Sequence, residues 1–505
     1  MSKSSIAASR IAPSAGLVRV GAAALLAWAW AGHGPGATPA LAWQAPAKSV
    51  EPTKDAQAPA EDEAPQEAVD PSESHKAATL TVYRDPNVEG IRDPSKFQEV
   101  RANPVSAQTI NQFKAMAASP LAPVNDSLIN NVVAAMVAQM SSPRNIQAAM
   151  DPAGEKNSAV VTAVQSATMN LLEAVFASRS AKNVNFQVKY DQILLQKLPP
   201  LFKHHFIPRI QAMIVLAQSA NPDALKTLLD EIKNPSQTYW VKLWAFRGVT
   251  NIKQLANRLS ASQEADAAKV IGDELLKGKS WPAWVQFRGL EALAALRQGF
   301  LPASPRSADM ASAAFQYLTD ESLAFNVRSE AALALGMMQI GTAVPRYNQV
   351  VVGYAAARLA AAMLDKISEV HSENPLRAQD LTTVLVGPLF QAFQGQEGQR
   401  ESGLLNATSG AVKTEIQKYF DALQPPAKAA AALAGAPAGQ IPALREDLRA
   451  KVDAFKAFLD KSVPADVLLF PNGPSLPVPA ATEPAKQADA TAPAPKAETS
   501  GRRGS

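Results

Sequence analysis

Val327-Arg328-Ser329-Glu330-Ala331-Ala332-Leu333-Ala334-Leu335 is the stretch on which the fold turns, because three other segments share its pattern. They are Pro208 to Leu216, Val241 to Val249 and Val285 to Leu293. Each carries a small residue four places after its first: Ala331, Ala212, Ala245 and Gly289. Each then has a small or branched residue and an apolar one seven and eight places after the first. Three continue with an apolar residue eleven places after it, namely Ile252, Leu296 and Met338. The starts lie 33, 44 and 42 residues apart. A recurrence in that range marks stacked helical hairpins.

The residues before each segment make it the second helix of a pair. Leu225, Leu228, Leu229 and Ile232 fall at helical spacing before Val241. Ala267, Ile271 and Leu275 precede Val285, and Met310, Ala314 and Leu318 precede Val327, in the same way. Asn234-Pro235-Ser236, Gly278-Lys279-Ser280 and Asp320-Glu321-Ser322 are the turns between partners. A small residue at the fifth place lets helix backbones approach closely where they cross. Ile129, Val133, Met136, Val137 and Met140 form an earlier stripe with Asn125 or Asp126 as N-cap. Val164, Ala167 and Leu171 form the next. Val352, Ala356, Leu359, Ala360 and Met363 carry the pattern past the last repeat.

Val327 to Leu335, with Gly336 after it and Asp320 in the turn before it, resembles the second-helix pattern of HEAT-type (HEAT/armadillo-like) repeats. The other three segments match more loosely: Gln286 replaces the basic residue, Pro208 the branched apolar one, and Arg247 stands where a core residue is usual. The resemblance implies an all-α fold, a right-handed α-solenoid whose concave face binds a macromolecule, and no chemistry.

Outside the repeats the composition shifts. Residues 1–42 read as a secretory signal peptide, with Lys3, Arg10 and Arg19 ahead of the apolar run Val20 to Ala31, and Ala40-Leu41-Ala42 as a cleavage site. Residues 43–78 read as a disordered acidic Pro/Ala linker and 79–124 as an N-terminal extension with a short strand at Thr79 to Tyr83. The repeat domain is expected over 125–425, closed by Leu381 to Phe393 and Val412 to Leu423. A linker at 426–441 precedes an amphipathic helix at 442–461 that docks back as a cap or pairs with a partner. A disordered Pro/Ala-rich tail follows at 462–505.

The whole chain has 49 Lys and Arg against 45 Asp and Glu, and without the signal segment 46 against 45, which removes the basic excess a nucleic-acid binder carries. There is no Cys, so thiolate metal sites and thiol chemistry are excluded. Gly272 to Ser280 looks like a phosphate loop, but five residues separate its glycines and a helical stripe precedes it. Gly278 reads instead as a helix C-cap and Ser280 as the cap of the next helix, with Pro282 in its first turn. Adjacent His204 and His205 project about 100° apart on a helix and cannot share a metal. No catalytic residue, metal or cofactor is called for.

Two features remain as candidate partner-binding sites. Trp240, Trp244, Trp281 and Trp284 concentrate aromatic area in two successive repeats, as binding hot spots do and as cores between repeats also do. Arg209, Lys242 and Arg328 share the second place of their segments. They read either as a ladder to turn acids such as Asp230 and Asp320 or as a basic stripe for an anionic ligand. The expectation is an exported repeat scaffold in the periplasm, cell envelope or extracellular space. Its partner is a protein, with polysaccharide the second possibility, and it has neither nucleic acid nor a membrane span after signal cleavage. The alternative is a secreted polysaccharide-acting enzyme on an α/α-toroid.

Overall fold

The computed structural model describes residues 85–150, 162–256, 258–302, 308–340, 343–396 and 401–477. The signal segment, the acidic linker and the strand expected at Thr79 to Tyr83 lie outside them. All named elements among the described residues are helical, apart from one isolated β-bridge between Leu468 and Ser475. No helix among them is long and apolar enough to cross a membrane.

In chain order the helices are α1 (Ala107–Ala118), α2 (Asp126–Ser141), α3 (Pro143–Met150), α4 (Ala163–Ser180), α5 (Val184–Lys197) and α6 (Phe206–Ser219). Then come α7 (Leu225–Lys233), α8 (Tyr239–Asn251), α9 (Ala261–Lys277), α10 (Ala283–Leu296), α11 (Asp309–Thr319) and α12 (Phe325–Met337). The chain closes with α13 (Gln349–Val370), α14 (Pro375–Val384), α15 (Phe390–Gln394), α16 (Leu404–Ala407), α17 (Gly410–Ala434) and α18 (Ile441–Lys461).

Packing follows the sequence spacing. Helices α7 and α8, α9 and α10, and α11 and α12 form pairs, with α7, α9, α11 and α13 in one layer and α4, α6, α8, α10 and α12 in the other. Val241, Val285 and Val327 are fully buried, as are Ala212, Ala245 and Ala331, so the shared pattern is the buried edge of one layer. At Gly289 an added Cβ would stand 2.7 Å from Leu275 Cδ2, which shows how close the paired helices come. Capping follows the side-chain rules. Asn125 Oδ1 accepts from Leu128 N, and Thr162 and Ser260 each form a reciprocal capping box with the Gln three residues on. Gly278 ends α9 as expected, but the cap of α10 is Pro282, not Ser280. Trp281 N bonds back to Gly278 O, so the chain is still turning at Ser280.

The far end departs from expectation in two places. The linker placed at 426–441 is helical for its first part, because α17 runs through Pro425 and Pro426 to Ala434. Ala427, Ala429, Ala430 and Leu433 are buried there, and α18 packs against α17 and α13 through Leu448, Val452, Phe455 and Leu459. Burial of that alanine-rich face outweighs two missing backbone donors. The tail read as disordered from 462 instead folds back as far as Pro477. Leu469, Phe470 and Leu476 are buried, Leu469 O accepts from Asn348 N, and Pro477 O accepts from Arg358. At the other end, residues 85–105, with two short 3₁₀ turns at Glu89–Ile91 and Pro94–Lys96, form a strap across several helix ends held by side-chain hydrogen bonds.

Candidate interaction face

Residues at one register place on parallel neighbouring helices become rungs of a ladder. Trp240 and Trp284 each stand one place before the buried Val of their segment, in the first turns of α8 and α10. Their rings stack, with centroids 4.5 Å apart and planes 25° from parallel. Trp240 is 45% exposed and Trp284 half-buried, so the pair is a solvent-facing step between two helices. Ile207 and Ile210 of α6, and Leu243, Trp244 and Phe287, are half-buried beside it, and Phe176 of α4 is exposed. The layer α4–α6–α8–α10 therefore carries a run of half-buried and exposed apolar groups.

Deeper on the same layer the rungs are charged. Arg247 of α8 and Arg288 of α10 each donate to a different oxygen of Glu291, both at 2.7 Å. Glu330 of α12 is 4% exposed. Burial pushes its carboxyl up to about 8, the nearby Glu291 pushes the same way, and Arg288 opposes them. The shift favours the protonated, neutral acid. Glu330 is shut in because α14, α15, α16 and the π turn Leu385–Leu389 pack against α12. At Gly336 the approach is so close that an added Cβ would stand 2.2 Å from Ala392 O.

The basic ladder is corrected by the structure. Arg209, Lys242 and Arg328 are 9%, 3% and 8% exposed, and none of them faces a ligand. Each turns back to a carbonyl at the end of the preceding turn or helix: Arg209 to His204 O, Lys242 to Ile232 O, and Arg328 to Leu318 O. Gln286, which departs from the basic pattern, does the same with Lys279 O at 2.8 Å. Helix C-termini leave unpaired carbonyls with partial negative charge, so one donor at the second place closes each hairpin. Burial lowers the Lys242 ammonium to about 8, with Glu274 and Glu231 opposing. The turn acids contribute at a distance, as Asp320 and Glu321 do toward Arg328.

Trp281 is likewise turned to structure. It covers Gly278, where an added Cβ would meet the indole at 2.4 Å, and Lys242 Nζ lies 5.2 Å from its ring centroid. Of the four tryptophans, Trp240, Trp244 and Trp284 thus belong to the open layer and Trp281 to a hairpin end. His204 and His205 do not share a helix. They sit between the 3₁₀ turn Pro199–Lys203 and α6, where His205 is the N-cap. Among the described residues no group of three or more His, Asp or Glu is placed to hold a metal ion. No family model, curated protein or solved structure matches the chain. The fold defines the class as far as all-α.

Proposed function

We propose that this chain is an exported, HEAT-like helical-repeat scaffold that binds a macromolecular partner, a protein, on the open layer around Trp240, Trp244 and Trp284. The observation that carries the reading is the solvent-facing Trp240–Trp284 stack. Two large aromatic groups are held in register by a repeat whose core positions are already filled. Rigid aromatic anchors contribute contact area at small entropic cost, and they are enriched where binding energy concentrates. The alternation of two helical layers over α6 to α13 supports the solenoid arrangement.

The acids of the layer favour binding over hydrolysis. Glu291 is held by two arginines, Glu330 is buried, and the exposed Glu173 of α4 is paired with Lys114. Export rests on the leader-like segment before residue 43. The test is quantitative capture of envelope proteins by the wild type and by Trp240→Ala and Trp284→Ala. A protein retained by the wild type and lost with both variants, at unchanged helical content, supports the reading. Identical capture profiles for all three refute it.

A further inference from the structure

The strap formed by residues 85–105 is fastened at two histidines whose rings are neutral by geometry. His205 is fully buried. Its Nδ1 accepts from Ile207 N at 3.2 Å as the N-cap of α6, and its Nε2–H donates to Arg92 O at 2.9 Å. Both ring nitrogens are used in the one arrangement that a neutral imidazole allows. His204 is 6% exposed, its Nε2–H donates to Gln98 O at 3.1 Å, and its Nδ1 is buried without a partner. The Phe97 ring packs on both, with centroids 5.0 and 6.2 Å away. A proton added to His205 would point at the Ile207 N–H, donor against donor. One added to His204 would be buried with no acceptor.

The geometry points to an acid-released latch: at neutral pH the two rings hold residues 85–105 onto the start of α6, and protonation of His204 and His205 frees the strap. The charged groups around the rings fit this sense. Arg209 of α6 faces both and disfavours a second cation. Glu231 of α7 acts on Arg209. Asp93 acts in the opposite sense on His205, but it is exposed and already bound to Ser95, with Lys96 beside it. Burial is the first cause that lowers both histidines. The strap has further fastenings that do not involve the two rings: Asn87 Nδ2 donates to Pro235 O and Gln237 O, Val100 N donates to Ser141 Oγ, and Asp85 accepts from Tyr239 N. Release would therefore start at the histidines and leave the strap held by its ends.

The sign follows from linkage. A histidine kept neutral when latched holds fewer protons than the released one, so the closed state loses ground as pH falls through the ordinary histidine value near 6.5. Between pH 7 and 5 the opening constant rises by up to about 25-fold for each ring that stays neutral when closed. This inference is independent of the docking reading. Hydrogen exchange of the full chain at pH 7 and pH 5, with labelling times scaled for intrinsic exchange, tests it. Protection over 85–105 is expected to fall sharply at pH 5, while α10 and α12 keep theirs. His205→Asn preserves an N-cap acceptor for Ile207 without a titrating ring, and His204→Asn/His205→Asn is expected to flatten the acid response. Equal strap protection of the wild type at both pH values overturns the latch, as does a double variant that responds as the wild type does. Ring NMR of the wild type gives a check that needs no folded variant: two histidines titrating below 6.5 are expected, and fewer than two overturn it.

Discussion

Replacing Glu330 by Gln should make the protein more stable at neutral pH and leave it unchanged in acid. The carboxyl moves from an ordinary value of 4.5 to about 8 on folding. The folded state therefore binds the proton more tightly than the unfolded chain. Its stabilising contribution is complete below pH 4.5 and is lost as pH rises toward 8. Each pH unit between these limits is worth about 1.4 kcal/mol, so folding at pH 7 carries a penalty of about 3 kcal/mol that a Gln does not. With an unfolding entropy of about 2 cal/mol/K per residue, that is a shift of roughly 3 to 4 °C for the unit from Arg84 onward. Thermal unfolding of both proteins at pH 4.5, 6, 7 and 8 reads the difference directly. A buried amide in place of a hydroxyl adds an offset, but that offset does not vary with pH. The titration of His204 and His205, which runs in the opposite sense, cancels in the difference. A wild-type–variant gap that stays flat from pH 4.5 to 8 would refute the reasoning, because it would mean that Glu330 is ionised in the folded protein.

Trp240→Ala should cost about 1 kcal/mol, the worth of an aromatic pair at a half-exposed site, and near-ultraviolet circular dichroism should lose the same coupled-indole band as in Trp284→Ala. Gly336→Ala should cost about 3 kcal/mol, since its Cβ would fall on backbone at Ala392; protease cleavage within 385–407 should rise before the rest of the chain opens. Asn183→Ala should cost about 2 to 3 kcal/mol by denaturant titration, because one buried amide both caps α5 through Phe186 N and donates to Met116 O and Ser119 O.

The buried face of the paired helices was legible because its signal is periodic. The place that holds Ala212, Ala245, Gly289 and Ala331 is set by how closely helices can cross, and the same constraint acts in every pair. The second place of the segments was legible as a pattern but not as a purpose. Basic side chains at regular spacing suit a ligand stripe as well as a carbonyl cap, and only the direction of Arg209, Lys242 and Arg328 separates the two. Gln286 held a clue, since a neutral donor can close a hairpin but cannot draw an anion. Contacts between distant segments left no local trace. Nothing in Val463 to Pro477 announces that Leu469 and Phe470 will be buried beside Asn348, and Leu381 to Phe393 reads as a closing segment without any sign that it packs on α12. On the candidate face, a place just before a buried Val exposes Trp240 but leaves Trp284 half-buried. The buried acid Glu330 was missed, since a Glu inside the best repeat match reads as an ordinary polar helix position.

The cover over α12 closes one end of the two helical layers. Layers of helical hairpins can take in a new pair wherever it meets the same two neighbours as the old one, and a duplicated α9–α10 pair would do so between α8 and α11. After α12 they cannot, because the surface a further helix would occupy is taken by the π turn, α15 and α16, with Gly336 leaving no room even for a methyl group. An inserted hairpin is therefore accommodated before Phe325 and not after Met337.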